Sequence, residues 1–303
     1  MKTPGASHAS YRAAVDIRRG RDGEPLGAID RIALEVPVAL VYNGISHAVM
    51  MATPADLDDF ALGFSLSEGI LRCRDELYDI ELEKQEEGIA VHVQISAQRF
   101  AELKLRRRSL VGRTGCGLCG TESLQQAIRE VPPVKAPTIA DSAIQRALGE
   151  LSRHQPLQGE TGASHAAAWC DAAGAIVLAR EDVGRHNALD KLIGALMRSD
   201  QPRGEGFALV SSRASYEMVQ KSCSAGIGCL VAVSAPTSLA VEQARQAGLT
   251  LVGFARPGRH VVYTASTPSN KASPPVLPLA QANPAGRQRL DTLPDHAYRG
   301  YLQ

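Results

Sequence analysis

"HAAAWCDAAGAIVLAREDVGRHNALDKLIGALMR" spans residues 165–198, and its reading decides the fold. His165 to Cys170 and Ala175 to Ala179 are apolar runs on either side of Asp171–Gly174, and are predicted as strands across a turn. Asn187 to Arg198 places apolar residues at helical spacing and is predicted as an amphipathic helix. Downstream, Phe207 to Ser211, Cys229 to Ser234, Leu249 to Phe254 and His260 to Thr264 read as strands. Tyr216 to Cys223 and Thr237 to Ala247 read as helices, the second stopped by Gly248. With a helix over Asp141 to about Gln155 in front, the order is αββαβαβαββ. Such alternation predicts a sheet with helices on both faces.

Upstream, Arg31 to Ala52 reads as a hairpin around Asn43-Gly44, a strong two-residue turn signal. Thr53-Pro54 is predicted to open a helix, with Thr53 as N-cap and Pro at the first helical position. Gly69 is its expected stop. Leu77 to Glu83 and Ile89 to Ser96 alternate like a second hairpin, and Ala97 to Arg108 is a predicted helix. This makes a ββαββα unit. The expected organisation is a flexible leader over 1–27 and a small N-terminal α/β domain over 28–109. A Cys-x-x-Cys loop and linker over 110–139 follows, with a short helix at Thr121 to Glu130. An α/β/α domain covers 140–266. Residues 267–303 hold six prolines and no hydrophobic period, and read as a disordered tail.

The chain has 303 residues, 44% of them hydrophobic, and a formal net charge of +1. It is long enough for a sizeable core. A nearly neutral chain gives no bulk attraction to nucleic acid or membrane, so any anion site is local. The first residues lack an apolar signal region. The longest apolar stretch, Ile32 to Tyr42, is broken by Glu35 and Pro37 and is too short to span a bilayer. The expected location is cytoplasmic. Thiols stay reduced there, so the six cysteines are not a disulfide framework.

"GRTGCGLCGTESL", residues 112–124, sets Cys116 and Cys119 among glycines. The pair suits a metal clip, a redox disulfide, a sulfur-handling thiol or a plain glycine-rich turn. A structural zinc site needs four ligands, usually as two pairs, and Cys223 and Cys229 read as core cysteines. A redox disulfide motif would open a long helix after a strand. For a sulfur-handling thiol, Arg113 and a following helix N-terminus would lower the thiol pKa. The glycines would leave the sulfur accessible to a partner protein.

Four further stretches carry polar groups at strand ends. "EDVGRHNALDKLIG" (181–194) puts Asp182, Arg185, His186, Asn187 and Asp190 around a helix start. "LVSSRASYEMV" (209–219) offers Ser211, Ser212 and Arg213 for a phosphate or for a helix cap. "FARPGRHVVYT" (254–264) flanks a Pro-Gly turn with Arg256 and Arg259, forked cations suited to pyrophosphate or to solvent. "QGETGASHAAAW" (158–169) adds Thr161, Ser164 and His165. His165 reads equally as a ligand contact and as part of a core network.

GRTGCGLCG, TGASHAAA, EDVGRHNALDKLIG, SSRASYEMVQK and GFARPGR with VVYT, in this order, resemble the FdhD family of formate dehydrogenase accessory sulfurtransferases, over about residues 28–266. The resemblance implies that a cysteine desulfurase loads a persulfide sulfur, which passes to the molybdenum bis(molybdopterin guanine dinucleotide) cofactor on its way into the formate dehydrogenase catalytic subunit. It implies that Cys116 bears the persulfide, with Cys119 as second cysteine. It maps cofactor binding onto Phe254, Ala255, Arg256, Pro257, Gly258 and Arg259, with GDP as a mimic of the bound substrate. Pro257-Gly258 departs from the Gly-Asp-Arg type of many members. It also implies a homodimer and a cytidine-deaminase-like fold for the second domain. The zinc ligands of a deaminase are missing: no Glu follows two residues after His186, and Ser212-Arg213-Ala214-Ser215 stands where Pro-Cys-x-x-Cys would. No resident metal is expected. A cofactor chaperone without sulfur chemistry, or a zinc-dependent deaminase-like enzyme, are the alternatives.

Overall fold

Two mixed β-sheets organise the chain. The computed structural model describes residues 11–14, 30–111 and 131–265, with side chains for 30–105 and 131–265. Cys116 and Cys119, the helix predicted over Thr121 to Glu130 and the Pro-rich tail lie outside the described residues, as does the leader apart from one strand. That strand, β1 (Tyr11–Ala14), pairs antiparallel with β2 (Asp30–Ala33). Four residues are too few to show a period, so sequence reading assigned no strand there.

β3 (Val36–Tyr42), β4 (Ile45–Ala52), β5 (Leu77–Lys84) and β6 (Ile89–Ile95) form a sheet in the order β4-β3-β6-β5, with β3 and β6 parallel. The β3–β4 turn has φ of 44° at Asn43 and 81° at Gly44, the left-handed pair that a type I′ turn requires. The Asn43 amide is also clipped to both backbone groups of Ile95. Val38, Leu40 and Tyr42 alternate inward with Val91, Val93 and Ile95, and α1 (Leu57–Ser67) covers them.

The start of α1 is not where Thr53-Pro54 predicts. Asp56 precedes its first turn, at φ 54° and with no side-chain cap. Thr53 is taken by a tertiary network instead, described below. Gly69, at φ 66°, follows the helix as expected. α2 covers Ala97–Val111.

The second sheet runs β12-β11-β10-β9-β7-β8. Its strands are β7 (His165–Cys170), β8 (Ile176–Asp182), β9 (Phe207–Val210), β10 (Cys229–Ala232), β11 (Thr250–Arg256) and β12 (Arg259–Thr264). The helices are α3 (Asp141–Glu150), continued by a 3₁₀ turn over Leu151–His154, then α4 (Pro156–Thr161), α5 (Arg185–Arg198), α6 (Tyr216–Ser224) and α7 (Ser238–Ala247). Alternation along the strands separates two faces. Ala167, Trp169, Ala208, Val210, Leu230, Ala232 and Leu251 share a core with α1, α5, α6 and α7. Ala166, Ala168, Cys170, Phe207, Leu209, Cys229, Val231 and Val252 pack with α3. The expected α/β class is the one observed.

The two sheets share the first core through α1 and α5, which cross at two glycines. A Cβ on Gly63 would collide with the Asp190 carbonyl, and one on Gly194 with the Asp59 carbonyl. Glycine at both positions lets the two backbones touch. Arg180 closes the crossing from β8, donating from Nε and Nη2 to Asp59 Oδ2 at 2.9 and 2.7 Å. Among the described residues no helix is long and apolar enough to cross a membrane.

Candidate functional site

Strand direction decides where the site lies. β9, β10 and β11 are mutually parallel, so their C-terminal ends share one edge of the sheet. β7 runs antiparallel to β9 and β8 antiparallel to β7. The start of β7 and the end of β8 therefore reach that same edge. It gathers Ser164-His165, Asp182–His186, Ser211–Arg213, Ser234–Thr237 and Phe254–Arg259 from five separate stretches of chain. In open α/β sheets this edge is where ligands bind.

Phe254 to Arg259 form the end of β11, a turn and the start of β12. Arg256 pairs with Arg259 across Pro257-Gly258. Proline fixes a negative φ and Gly258 has φ 80°, so this is a type II turn. The strand is irregular between Gly253 and Arg256. Phe254 sits there at φ 50°, a rare conformation for an aromatic residue, costing about 1–3 kcal/mol. The residue is 46% exposed and its N–H donates to the Ser234 carbonyl at 3.1 Å. Gly253 precedes it because a Cβ there would lie 2.7 Å from Pro236 Cδ. Ala255 is buried, and Arg259 is exposed.

α3 braces this turn, which sequence reading missed. Gln145 Oε1 accepts from the Gly258 N–H at 2.7 Å, and its amide nitrogen lies 3.2 Å from His260 Nδ1. His260 Nε2 lies 3.1 Å from Asp141 Oδ1. A carboxylate only accepts, so the ring proton sits on Nε2. Gln145 is 113 residues from Gly258 in sequence, and no local pattern signals the pairing.

The 181–194 motif divides in two. Asp182 is fully buried and forms an ion pair of 2.7 Å with Lys191, also fully buried. Asp182 further accepts from the backbone N–H groups of Thr53 and Gly184 and from Asn187 Nδ2. Lys191 donates to the Thr53 carbonyl, and Thr53 Oγ1 accepts from the Val183 N–H. Asn187 reaches the Met51 carbonyl. This closed network ties the start of α5 to the first sheet. Asp190 is buried with Lys221, at 2.9 Å, and Ser67, at 2.6 Å. Burial raises the Asp190 pKa. Burial alone would lower that of Lys221, but the Asp190 and Glu68 charges outweigh it and hold it above its usual value. Asp182, Asn187 and Asp190 are therefore structural, contrary to the ligand role their density suggested.

The remainder of the motif faces the edge. His186 Nε2 lies 2.9 Å from Glu217 Oε2, and burial lowers its pKa despite that carboxylate. Arg185 Nε is buried without a hydrogen bond among the described residues. An open cleft of about 550 Å³ is lined by Gln155, Gln158, Gly162, Ala163, Ser164, His165 and Ser211. His165 is half-buried; burial first, then the Arg185 charge, hold its pKa below the usual 6.5. Ser211 does not cap a helix. α6 starts at Tyr216, while Ser211 Oγ accepts from the Ala166 N–H at 2.9 Å. Arg213 is exposed, and Ser212 is buried.

Cys170, Cys223 and Cys229 are buried. Burial raises all three thiols, those of Cys223 and Cys229 to about 12. They are core cysteines, as the sequence suggested for the latter two. Cys73 is exposed.

A solved structure shares this architecture. The crystal structure of a protein from Desulfotalea psychrophila, assigned as a formate dehydrogenase accessory protein, matches with a TM-score of 0.62 at 22% identity. The match covers 84% of this chain and 95% of that one. The two proteins thus share a two-sheet α/β fold. Sequence comparison goes further: the FdhD/NarQ family model matches residues 33–268. Proteins named sulfur carrier protein FdhD are similar over most of the chain. That of Cupriavidus necator is 59% identical, covering 82% of this chain and 86% of the relative. That of Variovorax paradoxus is 58% identical, covering 78% and 85%. The protein described here belongs to the FdhD/NarQ family.

Proposed function

We propose that the protein is a sulfur carrier in the maturation of a formate dehydrogenase, with the molybdenum bis(molybdopterin guanine dinucleotide) cofactor as its substrate. In the first step the Cys116 thiolate attacks the terminal sulfur of a persulfide on a cysteine desulfurase. The S–S bond of the desulfurase breaks, its cysteine leaves as a thiolate, and Cys116 carries the sulfur. The exchange conserves electrons and needs no oxidant. In the second step the Cys119 thiolate attacks Cys116 Sγ. Hydrosulfide is released toward the substrate, and the two electrons it carries come from closing the Cys116–Cys119 disulfide. A cellular thiol reductant then resets the pair.

The protein's own residues hold the substrate. Arg256 and Arg259 supply forked donors for phosphate oxygens. Phe254, fixed in its strained conformation by the bulge, offers an exposed ring on which a base can stack. Gln145 and His260 keep the turn in place.

One observation carries the reading: Cys116 and Cys119 are the paired thiols of a family member whose described core cysteines are shut away by burial. Buried, protonated thiols are inert, and accessible ones are reactive. The test is peptide mass spectrometry after incubation with a cysteine desulfurase, cysteine and a thiol-capping reagent. The expected result is one added sulfur on the Cys116–Cys119 peptide, absent from Cys116→Ala. A tightly bound metal on that peptide, with no added sulfur, overturns it.

A further inference from the structure

Resting on that reading of the sulfur donor, the geometry points to the open face of the first sheet as the surface on which the cysteine desulfurase docks.

Register sorts the side chains of this sheet onto two faces. α1 covers the face of Val38, Leu40, Val91 and Val93. On the other face Pro37 lies opposite Met51, and Ala39 opposite Val49. Val49 is 59% exposed and Met51 49%. β4 ends the sheet, and an edge strand that shows bare apolar side chains is a liability unless a partner covers it. Across the same face the chemistry changes. Ala39 is followed by Ala90 and then Glu83, and Val41 by His92 and then Glu81. Asp79 joins the row opposite Gln94. The strands β3 to β6 hold three carboxylates, all on this face, and one lysine, Lys84. Lys84 lies opposite Ile89 and so belongs to the other face. His92 engages Glu83 at 2.8 Å. Glu86 and Glu87, exposed between β5 and β6, extend the negative row.

A chain of net charge +1 thus gathers negative charge beside an apolar stripe. The occupant that fits is a protein surface with an apolar knob rimmed by lysine or arginine. A second copy of this chain would bring the same acidic row, with no lysine or arginine on this face to meet it.

Chain order says which partner this is. α2 starts two positions after β6 ends, and Leu103 anchors it in the first core. Cys116 follows Val111, the last residue of α2, by five positions, a reach of at most about 18 Å. The cysteine that receives sulfur is therefore tethered to the first sheet, whereas the turn proposed to hold the substrate belongs to the second. A donor protein that grips the first sheet reaches Cys116 and leaves the substrate edge open.

The test measures sulfur gained on Cys116 of the full-length protein, at varied concentration, from a cysteine desulfurase and cysteine. Glutathione persulfide, a small donor that needs no docking surface, is the comparison. The variants are Val49→Asp with Met51→Asp, Glu81→Lys with Glu83→Lys, and, as a control on exposed α7, Glu242→Lys. The expected result is that each pair raises KM with the desulfurase about tenfold or more and leaves loading from glutathione persulfide within about twofold. Glu242→Lys should change neither. Raising salt from about 50 to 500 mM should raise the KM of the unaltered protein and not that of the Glu81→Lys, Glu83→Lys pair. Thermal melts identify a pair that fails to fold, and the other pair then decides. A KM that no folded pair moves overturns the docking surface and leaves the proposed function standing. An equal loss with both donors also overturns it, because the variants then act on Cys116 and not on docking. A dimer that Val49→Asp with Met51→Asp takes apart in sedimentation gives the face to a second copy, and overturns it as well. No sulfur on Cys116 of the unaltered protein from either donor overturns the proposed function and this surface with it.

Discussion

Asp182 and Arg185 stand three residues apart, yet Asp182 is fully buried and saturated while Arg185 keeps an Nε with no hydrogen bond among the described residues. Around Asp182, the polar groups meet one another: Lys191 and Asn187 from the same motif, Thr53 and the Met51 carbonyl from a distant part of the chain. At the same edge of the sheet, His165, Ser211 and Gln158 line an open cleft. Polar density in a motif thus has two physical meanings. Buried polar groups must satisfy one another, because desolvation leaves no alternative. Groups left open at a strand edge can be satisfied by a ligand. The two halves of 181–194 serve these two ends.

The sharpest way to break the contrast is to remove one partner on each side. Lys191→Ala leaves the Asp182 carboxylate buried and unpaired, and should lower unfolding free energy by about 3–5 kcal/mol in urea titrations. Arg185→Gln should change it by no more than about 0.5 kcal/mol. Equal losses would show that Arg185 also belongs to the structural network. Next in size is the helix crossing that carries the buried half. Gly194→Ala pushes a methyl into the Asp59 carbonyl and should cost about 1–3 kcal/mol; an unchanged denaturation midpoint would show that α1 and α5 have slack between them.

The open half should show itself in pH dependence. His165 and His186 both have lowered pKa values, largely through burial. The unfolded state therefore binds protons more readily than the native one. Their contribution to stability is full above the ordinary value of 6.5 and is lost as pH falls through the depressed folded values. The urea midpoint should drop between neutral pH and about pH 5, and replacing both histidines by Gln should flatten that part of the profile. A profile that keeps its slope would assign the acid sensitivity to other groups. The smallest effect concerns the thiols. With pKa values near 12, Cys223 and Cys229 carry about one thiolate in ten thousand at pH 8. Brief alkylation of the native protein should modify Cys73 and spare Cys170, Cys223 and Cys229. Modification of the latter three without denaturant would break the assignment of these thiols to a closed core.

Local chemistry was legible without coordinates wherever it was decided by neighbours in sequence. Asn43-Gly44 supplies the left-handed pair of a hairpin turn, Pro257-Gly258 supplies a type II turn, and Gly248 stops α7 at φ 76°. The αββαβαβαββ order follows from hydrophobic period alone, and most strand bounds agree within a few residues. The misreadings share one cause. Thr53 has the chemistry of an N-cap, but its three hydrogen-bonding groups are claimed by Asp182, Lys191 and Val183, about 130 residues away. Asp182 and Asn187 look like ligands until burial shows their partners. Gln145 looks like surface until Gly258 folds against it.

Residue type and spacing set turns, periods and the list of groups able to do chemistry. Strand order and direction set which of those groups meet. Nothing in the sequence places β7 beside β9, yet that pairing brings His165, Arg185 and Ser211 to one edge with Phe254 and Arg259. Contacts between distant stretches, and the desolvation that comes with them, choose which polar groups are consumed by the core and which remain available to a ligand.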